Sequence, residues 1–112
     1  MNNSVLSSIK IQLGIPENHK EFDVQLIKHI NSEFLTLYQL GAGPNNGFRI
    51  DSEENTWNEF SDNEMLNDAV NEYVYLKVKK VFDPSTSTAV SDAEKDRIKE
   101  LEFRIMTISS TN

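Results

Sequence analysis

Apolar residues recur along this chain at helical rather than alternating spacing, in four groups separated by residues that stop helices. Behind Ser4, the residues Val5, Leu6, Ile9 and Leu13 share one helical face, and Gly14 with Pro16 closes that segment. From about Glu21 to Leu40 a broader stripe is formed by Leu26, Ile27, Ile30, Phe34, Leu37 and Tyr38. Asn18 and Glu21 are spaced as a capping pair ahead of it, and Gly41 is its stop. The stretch "SDNE" offers a capping box from Ser61 to Glu64. Beyond it Leu66, Ala69, Val70, Tyr73, Leu76 and Phe82 predict a third helix that ends at Asp83-Pro84. A second box, "SDAE" with Ser91 and Glu94, opens a fourth helix and tail over 91–112, where Ile98, Leu101, Ile105 and Ile108 form a narrow stripe suited to one seam. The expected fold is all-α: a small bundle of about four helices, with an extended loop or short hairpin between the second and third. At 112 residues a single domain over 1–112 is expected.

The loop "LGAGPNNGFRI", Leu40 to Ile50, holds three of the four glycines and invites a phosphate-binding reading. Such loops bind phosphate by leading into a helix N-terminus, where free N–H groups and the positive dipole end face the anion. This one follows a helix C-terminus and has no Lys, Ser or Thr after its last glycine, so it is read as chain reversal. Gly41 should take a left-handed backbone, Pro44 should prevent continuation, and "NNG" should turn into an extended "FRI". Phe48 and Ile50 would then point the same way from an extended arm. With Pro44 they are candidate partner contacts.

Charge narrows the function classes. Asp and Glu number 18 against 11 Lys and Arg, a net charge of −7, which disfavours nucleic acid and anionic membranes as ligands. Eight of these acids and no base fall between Ile50 and Glu72. Asp51, Glu53, Glu54 and Glu59 begin that run, which by itself reads as a solvated acidic face. A calcium loop in "DSEENTWNEFSD" fails because Thr56 stands where glycine is needed and Asp62 where a bidentate Glu is needed. The "KVKK" lysines Lys77, Lys79 and Lys80 suit the negative end of the third helix. There is no cysteine and no apolar run of the roughly 20 residues a spanning helix needs, so a soluble, intracellular protein is expected.

Catalytic constellations are thin. His19 and His29 have no cysteine, G-x-S-x-G serine or H-E-x-x-H spacing to join, and His29 with Glu33 reads as a surface pair one turn apart. No enzyme activity, cofactor or metal is expected. From the residues alone the chain reads as a small acidic helical protein-interaction module.

Three pieces carry a resemblance that runs from about Ser8 to Ile105: "FD" at Phe22-Asp23, "QLGAGP" at Gln39 to Pro44, and "YLKVKKVFDP" at Tyr75 to Pro84. Together they resemble the head–tail connector (adaptor) proteins of tailed phages and prophages of Gram-positive bacteria. Members often carry a second proline after "FDP", where Ser85 stands here. The resemblance implies a structural virion protein at the head–tail interface, present in the bacterial host cytoplasm during assembly. It implies a homo-oligomeric ring beneath the portal protein, a tail-proximal stopper protein on the other side, and DNA passing without specific binding, with Asp51, Glu53, Glu54 and Glu59 as candidates for the channel lining or a subunit seam. A monomeric isolated state is compatible with it, and no membrane contact is expected. It also makes the C-terminal segment a portal-contacting element, with Arg104, Ile105, Met106 and Ile108 as candidate anchors. On that reading a chain ended after Phe103 should still fold. The alternative is an interaction module or regulator unrelated to virions.

Overall fold

A computed structural model describes residues 3–110, and among these it is all-helical with no strand. The elements are α1 (Val5–Leu13), α2 (Asp23–Gln39), α3 (Trp57–Phe60), α4 (Glu64–Phe82) and α5 (Thr88–Ser110). The four expected helices are present, and α3 is an added single turn. The expected loop or hairpin between the second and third helices is a loop. Its end makes an isolated antiparallel bridge, Ser4 to Thr56, with the Val5 N–H on the Asn55 carbonyl at 3.0 Å.

Helix α4 lies at the centre, in contact with α1, α2 and α5. It buries Leu66, Val70, Tyr73, Val74 and Val78, a face broad enough for several neighbours. Against it pack Val5, Leu6 and Ile9 of α1, and Leu26, Ile30, Phe34 and Leu37 of α2. A second cluster is aromatic. Phe34 meets Phe48, Phe60 and Trp57 at ring separations of 4.8, 5.2 and 6.1 Å, which clamps the loop and α3 onto α2.

Several boundaries differ from expectation for local chemical reasons. Asn18 and Glu21 do not cap α2, whose N-cap is Phe22 with no side-chain bond. The basic side chain of Lys10 organises that approach instead. Only 2% exposed, Lys10 donates to the Glu17 carbonyl (3.1 Å), the His19 carbonyl (2.7 Å) and the Asp23 carboxylate (2.8 Å), so each of its three protons has an acceptor. The Ser61 to Glu64 box is not formed. Asn63 is the cap of α4, its side chain accepting from the Leu66 N–H at 3.1 Å, while the Ser61 hydroxyl accepts from the Asn63 N–H. The box geometry appears one element earlier, where the Glu59 carboxylate reaches back to the Thr56 N–H at 2.8 Å. Ser91 and Glu94 likewise do not open the last helix. It begins three residues sooner, with Ser87 accepting from Val90, and Glu94 is drawn away by Lys79 and Ser85.

Gly41 has φ +90°, the left-handed stop expected after α2. Gly43, at φ +94°, has a second constraint: a Cβ there would stand 2.6 Å from the Phe60 ring. Asn63→Ala is expected to cost about 1 kcal/mol through loss of the α4 cap, and Ser61→Ala less. Urea denaturation of the two variants side by side checks the order.

Candidate partner-binding surface

The last two helices form an antiparallel pair whose inner side is fixed by a few apolar residues and several polar clasps. Ile98, Leu101 and Ile105 are the buried residues of α5, the narrow stripe read from the sequence. Arg97 grips Glu72 through two hydrogen bonds of 2.7 Å and also bonds Glu100. Lys79 and the Ser85 hydroxyl both donate to Glu94, at 2.9 Å each. The Tyr73 hydroxyl donates to Glu102 at 3.0 Å.

These contacts set the local electrostatics. Arg97 holds the Glu72 carboxyl below the usual carboxylate range, and Lys79, then Ser85, do the same for Glu94. Burial, reinforced by Glu102, pushes the Tyr73 phenol well above its ordinary value. Two lysines of "KVKK" therefore serve tertiary ion pairs rather than the helix dipole alone: Lys79 with Glu94, and Lys77 with Glu33 at 3.7 Å. Glu33, expected to pair with His29 on the surface, is largely buried and also meets Lys77, while His29 meets the Phe82 ring edge-on at 5.5 Å; burial raises the Glu33 pKa against the opposing effects of Lys77 and His29.

The outer side of the same pair is apolar and open. Met65 at the start of α4 is 70% exposed, and Phe103 on α5 is 72% exposed. They border a depression of about 500 Å³ between the helices, floored by Ala69, Leu101 and Ile108. Met106 is exposed on the same end of α5, and so is Arg104, which lies 3.7 Å from Glu100. The structure thus brings Arg104 and Ile108 to the depression beside Phe103, whereas Met106 is exposed but is not part of its lining. Ile105 is corrected: it is fully buried in the core, and a chain ended after Phe103 loses it. Met65 and Phe103 were missed because each stands off its helix's apolar stripe. An aromatic off the stripe was the available signal.

The loop candidates do not join this surface. Ile50 is 1% exposed, and both its backbone groups are held by the Asn31 side chain, at 2.7 and 2.9 Å. Phe48 is half-buried against Phe34 and Phe60. The extended arm is therefore corrected to a loop pinned on α2, with Ile50 in the core; Pro44 is half-buried in it. Of the acidic candidates, Glu53 pairs with Lys20 at 3.0 Å and Glu59 is the reach-back group of α3, while Asp51 and Glu54 are exposed. Among the described residues no group of three or more His, Asp or Glu is placed to hold a metal ion. No helix is long and apolar enough to cross a membrane among them. What the surface offers chemically is docking by apolar contact with charged flanks.

Ile105→Ala should lower stability by about 3 kcal/mol, whereas Met106→Ala should stay within about 0.5 kcal/mol, as chemical denaturation will show. The Glu72–Arg97 pair carries a pH signature. Its carboxyl titrates lower in the folded chain than in the unfolded one, so its stabilisation is present above the ordinary carboxylate pKa and is lost as pH falls through the lowered value. Glu72→Gln should therefore lower the melting temperature at neutral pH, with a gap from the parent chain that closes in strong acid.

A family model described as "Phage connector protein" matches residues 5–112. No curated protein and no solved structure gives a significant match to the chain.

Proposed function

Because the chain belongs to the phage connector protein family, we propose that it is a structural head–tail connector that forms a ring beneath the portal protein and joins the capsid to the tail. Membership over 5–112 carries this reading. It supports a connector role in the virion, in contact with other head or tail components, and a structural rather than catalytic family. The finer parts rest on the resemblance carried by "QLGAGP" and "YLKVKKVFDP" and on physical argument. A tail-proximal stopper protein takes the other side of the ring, and DNA passes through its opening. The chain's net charge of −7 suits such a passage, because an acidic wall repels the phosphate backbone where a basic wall would hold it. Asp51 and Glu54, exposed beside the α2-pinned loop, are candidates for that wall.

For the portal contact the candidate surface is the outer end of α5, with Phe103, Arg104, Met106 and Ile108. An exposed aromatic beside an Arg and aliphatic side chains is the composition that concentrates binding energy at small interfaces. The whole chain is read as one connector domain.

The test is complementation of a phage or induced prophage that lacks its connector. Phe103→Glu combined with Met106→Glu should leave the circular dichroism and melting curve near those of the parent chain, since both side chains lie outside the core. The same variant should yield filled heads without tails. A normal titre from it would exclude this end of α5 as the portal contact.

A further inference from the structure

Two exposed apolar patches stand at opposite ends of α4 and carry opposite charge. At the N-terminal end, Met65 is surrounded in sequence by Asp62, Glu64 and Asp68, all exposed. None of these three carboxylates makes an ion pair among the described residues, and the bases nearby are engaged elsewhere, Arg97 by Glu72 and Glu100 and Arg104 by Glu100. At the C-terminal end, Val81 is 57% exposed and lines one depression with Lys28, His29 and Phe82. Val24, 81% exposed, lies one turn before Lys28 on α2, and Lys80 adjoins Val81. Lys28 and Lys80 make no ion pair among the described residues, whereas Lys77 and Lys79 are held by Glu33 and Glu94. Asp83 offsets part of this positive charge.

The two patches are about 24 Å apart along the helix axis at 1.5 Å per residue, so one chain cannot bring them together. Two copies can. We propose that the acidic Met65 patch of one copy docks on the basic Val24–Val81 patch of a second copy of this chain, head to tail. Pairing like patches about a two-fold axis would set acid against acid and base against base, whereas head-to-tail contact matches opposite charges around an apolar centre. Such a contact leaves one unused patch at each end of the pair, so it propagates and closes into a ring when the rotation per copy allows. The proposal rests on the ring reading of the connector's function and supplies the seam for it.

The absence of cysteine allows a direct test. Met65→Cys and Val81→Cys change exposed side chains only. Their sulfurs are too far apart within one chain for a disulfide, which needs Cα atoms within about 7 Å. Under mild oxidation the double variant should give a ladder of dimer, trimer and longer species, both as concentrated pure protein and in assembled heads. Each single variant should stay monomeric, and a mixture of the two singles should stop at the dimer. Asp68→Lys or Lys28→Glu in the double-cysteine chain should cut the crosslinked fraction about tenfold, and the two reversals together should restore it. A dimer from either single variant would overturn the seam in favour of two-fold pairing. A missing ladder in material that light scattering shows to be multimeric would overturn the seam and leave the ring reading standing. Material that stays monomeric in both settings would remove both.

Discussion

Burial of α4 on several sides is the constraint to which the other helices conform. A helix that buries Leu66, Val70, Tyr73, Val74 and Val78 cannot be served by one neighbour, and α1, α2 and α5 each take part of it. Its polar residues follow from the same position. Lys77 and Lys79, on turns flanked by packed helices, reach carboxylates of α2 and α5, and Tyr73 satisfies its hydroxyl on Glu102 because a buried phenol needs a partner. The clasps between α4 and α5 are then a consequence of bringing two partly polar helices together, and they fix the register that three buried apolar residues of α5 would leave loose.

Away from α4, two devices tie down the irregular chain. The Lys10 ammonium gathers two carbonyls and one carboxylate where the chain turns from α1 into α2. Burying that charge is tolerable because every proton is used. The aromatic group of Phe34, Phe48, Trp57 and Phe60 does the corresponding work for the loop before α4, with Asn31 holding the Ile50 backbone. Both segments are therefore part of the fold and not free arms.

Open to a partner are the outside of the α4–α5 pair and the far end of α4 with the exposed side of α2. These surfaces combine uncovered aliphatic and aromatic side chains with charges left over after internal pairing. That chemistry suits docking, and membership of the phage connector family implies contact with other head or tail components.

The sequence by itself determined the helices and their order. Helical periodicity survives because each stripe must meet a core, and Gly14, Gly41 and Asp83-Pro84 stop a helix through backbone chemistry that needs no distant partner. It also carried the family resemblance through "QLGAGP" and "YLKVKKVFDP". Tertiary structure decided what competing partners decide. Ser61 and Ser91 had the spacing of caps, but Asn63 and Ser87 stood closer to the points where packing starts α4 and α5, and Glu94 found a lysine on another helix. Lys10 was buried because two carbonyls of the following loop and the Asp23 carboxylate at the start of α2 converge on it. Ile50 and Ile105 went to the core and Phe103 to the surface, since exposure depends on which helix arrives opposite a residue, and one chain's periodicity cannot specify that arrival.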